Sequence, residues 1–168
     1  MRIKRCSYPA AVAVVALAVL AAAAPAAGGG KGKGKTLRLT AVQKQQQFID
    51  LAPTGPSLGD QLVFSDTVYR NRREVGTDGV VCSITQIVPP YTVVTYQCVA
   101  TIRLRDGQIT VQGLNEFQGP SDPGPFRFAI TGGTGAYSGA SGEVVVRYDR
   151  ARTGYYTLRF NARTKHGH

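Results

Sequence analysis

The chain has 168 residues, enough for one domain of ordinary size. It carries 20 Lys and Arg against 10 Asp and Glu, a formal net charge of +10. Both histidines, His166 and His168, lie at the carboxyl end, which excludes a Ser–His–Asp triad within the predicted domain. The pair is only half of a metal site, so we expect no bound metal.

The first 27 residues are predicted to be a secretory signal peptide. Arg2, Lys4 and Arg5 form a basic start, and an alanine-rich run (10–24) leads to small residues that suit a signal peptidase. A membrane anchor is the alternative, but the run is short and weakly apolar for one. Removing the three basic residues of the leader leaves 17 against 10 acidic ones, net +7. The pattern predicts a secreted protein with no stable membrane anchor.

A flexible Gly/Lys-rich linker (28–35) follows, and the last residues (164–168) are predicted to be a disordered tail. The domain between them (36–163) has strand patterns and no helical apolar period. The predicted strands are 36–42, 60–69, 79–87, 92–105, 108–113, 126–131, 143–149 and 154–160. About eight short strands separated by Gly and Pro indicate an all-β sandwich or closed barrel.

One predicted hairpin is centred on the Asp-Gly pair within 105–108, a strong turn signal. Folding the chain there places Leu104 opposite Ile109. Apolar residues then share one face and polar residues the other, as a sheet with one buried face requires.

The two cysteines of the predicted domain, Cys82 and Cys98, are predicted to face each other. A fold centred on Pro89 and Pro90 sets them opposite one another on an inner face. In an oxidising compartment such a pair makes a disulfide possible. A register shift of one residue would separate them, so the sequence leaves both outcomes open.

An acidic residue interrupts an apolar face in the second predicted strand. Leu62, Phe64 and Val68 share one face with Asp66. If that face is buried, the carboxyl must be paired, hydrogen-bonded, hydrated or protonated. A position at the rim, where Asp66 reaches water, is the alternative.

A glycine-rich segment (129–148) is not expected to hold a phosphate. A P-loop needs a lysine after its last glycine, and a dinucleotide loop leads into a helix. This segment leads into a strand pattern instead. We therefore expect its glycines to form tight bends between two strands.

Residues 129–144 of this segment are similar to a signature of the allene oxide cyclase family and of the related dirigent proteins. Segments 57–82, 106–113 and 154–160 resemble other parts of the family in order and spacing. The resemblance implies an eight-stranded antiparallel β-barrel, usually a trimer, with an elongated apolar cavity and no cofactor. Catalysis in such a barrel holds a reactive substrate in one conformation.

The resemblance also implies site residues. Asp66 stands where the cyclases have an asparagine and where dirigent proteins tend to have an aspartate. Cys82 stands at a cysteine of the cyclases; both are candidate catalytic residues, Cys82 only as a free thiol. The candidate ligand-binding residues are Phe64, Tyr96, Glu116, Phe128 and Tyr156. The first strand lacks the glutamate of the cyclases, which argues against allene oxide cyclisation itself.

We expect a secreted barrel that binds an apolar small molecule and guides its cyclisation or stereoselective coupling. A non-catalytic carrier of hydrophobic ligands, or a structural barrel filled by its own side chains, is the alternative. Arginines on predicted outer faces form a third candidate site, a polyanion-binding surface: Arg103, Arg105, Arg147 and Arg159. Aromatic residues are not interleaved with them, so we expect no nucleic-acid partner.

Overall fold

The computed structural model describes residues 34–51, 53–89, 93–118 and 124–161. Eight antiparallel strands close into a barrel in which each strand pairs with the next and the last pairs with the first. The strands are β1 (Lys35–Ile49), β2 (Gln61–Arg70), β3 (Arg73–Val88), β4 (Val93–Leu104), β5 (Gly107–Phe117), β6 (Phe126–Gly133), β7 (Ser141–Tyr148) and β8 (Gly154–Asn161). The predicted eight-stranded antiparallel barrel is confirmed.

The terminal segments fall largely outside the described residues. The predicted signal peptide (1–27), most of the linker (28–35) and the tail (164–168) all lie there. Of the predicted linker, Lys35 already belongs to β1. No helix in the described residues is long and apolar enough to cross a bilayer.

Three strands extend well beyond their sequence patterns. β1 runs on to Ile49, β3 begins at Arg73, and β5 ends at Phe117. The added stretches are rich in polar residues or glycine, which form strands weakly by themselves. The added stretch of β1 pairs with β2, that of β5 pairs with β4, and that of β3 pairs with both β2 and β4, and this pairing extends the strands.

The β4–β5 hairpin differs from its predicted register by two residues. Leu104 pairs with Gly107 rather than with Ile109, so the turn is Arg105–Asp106. Gly107 has φ +145°, and a Cβ there would lie 2.1 Å from the carbonyl oxygen of Thr134. The glycine is therefore needed for a close approach between loops rather than for the turn. A shift of two preserves which residues face inward.

The glycine-rich segment forms the bend between β6 and β7, as expected. One 3₁₀ turn, Gly135–Tyr137, lies between the strands. Gly135 has φ +58°, and a Cβ there would lie 2.3 Å from the carbonyl oxygen of Asp106. These contacts require glycine and leave no helix to face a phosphate.

One end of the barrel is filled by apolar side chains. They come from the start of β1, the end of β8 and the strand segments beside these: Leu37, Leu39, Val68, Ile102, Ile109, Ile130, Leu158 and Phe160. Each alternates along its strand with exposed or partly exposed residues, the period of a sheet with one buried face. We call this region the packed end of the barrel.

The two cysteines meet across β3 and β4. Cys82 pairs with Cys98 in the register expected from the sequence. Their sulfur atoms are 2.03 Å apart, which is a disulfide. Cys82 carries no thiol in this form, so the catalytic role considered for it does not apply.

Candidate functional site

The end of the barrel opposite the packed core encloses a cavity of about 1330 Å³. Its lining includes residues near the strand ends at that side of the barrel, among them Phe48, Leu62 and Val94. Small-molecule sites commonly measure about 300–1000 Å³ and are mainly apolar. The cavity is therefore large enough for one sizeable ligand or two small ones.

Two aspartates stand side by side at the inner end of this cavity. Asp66 on β2 pairs directly with Asp78 on β3, and each is only 4% exposed. The Asp66 backbone N–H donates to Asp78 Oδ1 at 3.1 Å. The Tyr156 hydroxyl donates to Asp66 Oδ2, also at 3.1 Å. We call Asp66 and Asp78 the acid pair.

The surroundings of the acid pair favour its protonated forms. Burial raises the pKa of Asp78 to about 7, with a further rise from the negative charge of Asp66 and a small opposing effect of the Tyr156 hydroxyl. Burial also raises the pKa of Asp66, and the hydrogen bond from Tyr156 opposes the rise. Two adjacent buried carboxyls titrate as a unit, so near neutral pH they share a proton. The acid pair can thus both donate and accept one.

Asp78 has an unused hydrogen-bonding atom. Its Oδ2 is buried and has no hydrogen-bond partner, and the residue lines the cavity. An unpaired buried polar atom costs free energy, which a polar ligand atom in the cavity would recover.

Two tyrosines flank the acid pair as neutral hydroxyls. Burial, followed by the charges of Asp66 and Asp78, raises the pKa of Tyr148. Burial is also the largest cause of the raised pKa of Tyr156. Both therefore remain protonated in the physiological range and can donate hydrogen bonds.

Four of the aromatic side chains that line the cavity contact one another in a continuous row. Tyr96 meets Phe117 edge-on at 5.1 Å between ring centroids, and Phe117 stacks on Phe126 at 4.3 Å. Phe126 in turn lies 6.0 Å from Tyr148. We call these four residues the aromatic belt; all of them line the cavity and offer flat surfaces to a ligand.

A buried aspartate anchors the loop between β1 and β2 beside the cavity. Asp60 accepts hydrogen bonds from the backbone N–H groups of Leu51 and Ser57 and from the Ser57 hydroxyl. Burial by itself would raise the pKa of Asp60, but these bonds outweigh it and hold the pKa below its usual value. The Ile84 N–H bonds the Asp60 carbonyl, which ties the loop to β3. Pro56 of this loop lines the cavity.

A family model described as the allene oxide cyclase barrel like domain matches residues 35–158. The chain belongs to this family. The match spans nearly the whole described barrel, including the acid pair and the aromatic belt. No curated protein matches the sequence.

Solved structures of this barrel type resemble the chain to different degrees. A pyocyanin demethylase is 30% identical, with a TM-score of 0.65, over 74% of this chain and 99% of its own. A Diels–Alderase from Streptomyces koyangensis is 15% identical with a TM-score of 0.59, over 83% of this chain and 72% of its own. A pterocarpan synthase dirigent protein is 16% identical with a TM-score of 0.55, over 81% and 89%. The last two show a shared fold.

The allene oxide cyclase-like barrel brings most of the expected site residues to one cavity. Asp66, Phe64, Tyr96, Phe128 and Tyr156 all line it. Asp66 lies in the interior of the barrel and not at a solvent-exposed rim, which decides between the two positions that the sequence allowed.

Glu116 does not join the site. Its side chain is exposed on β5 and is absent from the cavity lining. β5 continues regularly to Phe117, so inward Phe117 forces its neighbour Glu116 outward. The expectation that Glu116 binds the ligand is therefore corrected, because this residue lies on the outer wall.

Sequence reasoning missed Asp78, the second member of the acid pair. Asp78 has the same parity as Val80 and Cys82 on the inner face of β3, but the predicted strand began one residue later. Extending the alternation backward by one residue would have placed it inside. Tyr148 was similarly overlooked, although it lies two residues after inward Val146 and therefore on the same face of β7.

Proposed function

We propose that this allene oxide cyclase-like barrel is an enzyme that binds an apolar, ring-containing molecule and isomerises or cyclises it by proton transfer. The observation that supports the proposal is the acid pair at the inner end of a large, mostly apolar cavity. Perturbed carboxyls in a cavity of this kind are typical of functional sites. A purely structural barrel would gain nothing from two adjacent buried acids.

The proposed step needs only a proton to move. The protonated member of the acid pair donates its proton to a carbonyl oxygen or ring nitrogen of the substrate. The ionised member accepts a proton from a C–H or N–H of the same substrate, so the acid pair ends with its original proton count. The product is an isomer of the substrate, and no electrons are exchanged. The Tyr156 hydroxyl steadies the charge on Asp66 through its hydrogen bond.

The cavity supplies the second part of the proposed catalysis. Its aromatic belt would hold a flat or folded substrate against the acid pair, which lowers the entropic cost of reaching the reactive geometry. The volume of about 1330 Å³ suits cyclisation of one large molecule and also coupling of two smaller ones. Stereoselectivity in either case would follow from the single orientation that the cavity permits.

Demethylation of a heteroaromatic compound is a second candidate function. The pyocyanin demethylase is the neighbour with 30% identity, and almost all of its chain is covered. The stacked Phe117 and Phe126 offer a planar compound a matching surface. The two functions differ in the product, because isomerisation conserves mass, whereas demethylation replaces a methyl group by hydrogen and lowers the mass by CH₂ overall.

The proposal predicts that blocking the cavity weakens ligand binding. Ala100 lines the cavity, whereas Ala129 is exposed on β6 and is absent from the cavity lining. We expect Ala100→Trp to weaken binding of the neutral probe N-phenyl-1-naphthylamine about tenfold or more, equivalent to about 1.4 kcal/mol. Ala129→Trp should bind like the wild type. Equilibrium dialysis measures both, and thermal unfolding checks that each variant is folded.

The outcomes separate the functions. Equal binding by all three proteins would contradict a ligand site in the cavity. Aromatic compounds that bind are then incubated with the wild type and analysed by mass spectrometry. A product of unchanged mass supports isomerisation, and a product lighter by the mass of CH₂ supports demethylation. Binding without any product supports the carrier alternative.

Secretion and assembly as a homotrimer are further parts of the proposal. Secretion rests on the leader pattern of residues 1–27, and the trimer rests on the family resemblance. An exposed apolar stripe on the outer wall, Val63, Val81 and Val99 in direct cross-strand register, offers a surface for self-association. Protein recovered from the medium should lack the leader and sediment as a trimer. Full-length protein retained in the cell, or a monomer at micromolar concentration, would contradict these parts.

A further inference from the structure

The rim of the cavity carries a positive charge that the proposed proton transfer does not use. Arg150 and Arg152 lie in the turn between β7 and β8, and both line the cavity. Within the described part of the chain, neither guanidinium takes part in an ion pair. Two exposed arginines beside an apolar cavity can bind an anionic group with charge-assisted hydrogen bonds.

The acidic residue of the same turn, Asp149, already accepts hydrogen bonds within the turn. Asp149 Oδ1 accepts a hydrogen bond from the Thr153 N–H at 2.8 Å, and Oδ2 accepts one from the Tyr155 hydroxyl at 3.0 Å. Asp149 therefore shapes the turn, and with the two arginines the turn keeps a net charge of +1. This charge faces the solvent end of the cavity, whereas the acid pair lies at the inner end.

The inner end of the cavity offers a second, independent polar contact to a ligand. Asp78 Oδ2 is unpartnered, on a residue that is 4% exposed and lines the cavity. A hydroxyl or N–H on the inner end of a ligand would satisfy this oxygen. The walls between the two ends are the flat rings of the aromatic belt.

We infer that the natural ligand is an elongated aromatic acid whose carboxylate binds Arg150 and Arg152 and whose inner hydroxyl or N–H meets Asp78 Oδ2. The inference rests on the proposed function, since it names the substrate class of the same cavity. It adds an orientation, with the anion outward and the reacting end at the acid pair.

The test compares 6-hydroxy-2-naphthoate with its methyl ester by fluorescence titration at low salt. The wild type should bind the carboxylate about tenfold more tightly than the ester, because only the carboxylate pairs with the arginines. The double variant Arg150→Gln/Arg152→Gln should lose this preference and keep its affinity for the ester. A matched variant, Arg103→Gln/Arg105→Gln, changes two exposed arginines at the packed end of the barrel and should keep the preference. Raising the salt should shrink the preference in the wild type.

Equal affinity for the acid and the ester in the wild type would overturn the inference. If Ala100→Trp still weakened the binding of both compounds, the proposed function would stand. An unchanged preference in the Arg150→Gln/Arg152→Gln variant would also overturn it. Failure of both naphthoates beside normal binding of N-phenyl-1-naphthylamine would reject this ligand class alone. Failure of all three probes would count against the proposed function as well.

Discussion

Asp78→Asn is expected to lower turnover about 100- to 10,000-fold, the usual contribution of general acid–base catalysis. The amide keeps the shape of the side chain, and its oxygen can still accept the hydrogen bond from the Asp66 N–H. It cannot carry the shared proton, so the chemical step is slowed even where the substrate still binds. The measurement is kcat and KM for a substrate found by the mass-spectrometric assay.

The pH dependence of the wild type follows from the same carboxyl. The proton donor exists only below the pKa of Asp78, which burial raises to about 7. We therefore expect kcat/KM to fall as the pH rises through about 7. An activity that continues to rise to pH 9 would contradict a protonated carboxyl as the donor.

The stability of the wild type should also fall as the pH rises, whereas Asp78→Asn should lower activity and raise stability. Folding raises the pKa of this carboxyl. Its contribution to stability is therefore fully present at pH values below the pKa in the unfolded chain, and it is lost as the pH rises through the pKa in the folded protein. The free energy of unfolding of the wild type should therefore decline between about pH 4 and pH 7. Asp78→Asn removes the buried charge and should be more stable than the wild type at pH 8, by about 1–3 kcal/mol.

An exposed aspartate provides the control for both measurements. Asp106→Asn makes the same chemical change in the turn between β4 and β5, far from the cavity. It should leave turnover and the pH dependence of unfolding unchanged. If Asp78→Asn behaved like Asp106→Asn in turnover, the acid pair would have no catalytic role.

The double variant Cys82→Ala/Cys98→Ala is expected to lower the free energy of unfolding by about 3 kcal/mol. The disulfide joins residues 16 apart in sequence, and a loop of about this size restricts the unfolded chain by about that amount. For a domain of this size the melting temperature should fall by roughly 10 °C. Chemical unfolding at equilibrium measures the difference.

A reductant provides an internal control for the disulfide. It should lower the stability of the wild type toward that of the double variant and leave the double variant unchanged. Turnover by the folded double variant should stay within a few-fold of the wild type, because neither sulfur belongs to the acid pair. Loss of turnover with normal folding would restore a catalytic role for Cys82.

The site was only partly predictable from the sequence, and the two aspartates show why. Asp66 shares one face of β2 with apolar residues, which made an inward position one of the two that the sequence allowed. Asp78 lies next to Gly79 and close to Gly76, where local strand propensity is weak. Its place in the site depends on pairing with Asp66 across β2 and β3, a contact that only the folded sheet supplies.

By itself, the sequence determined the strands and their inner faces and offered Cys82 opposite Cys98 as one of two registers, because side-chain alternation and turn residues act over a few neighbouring positions. The tertiary structure alone decided that one end of the barrel is packed and the other hollow. It also decided that two acids meet at the inner end of the hollow, that Glu116 points outward, and that Gly107 serves a contact with Thr134 rather than a turn. These outcomes depend on how distant strands close around one interior, and no local pattern carries that information.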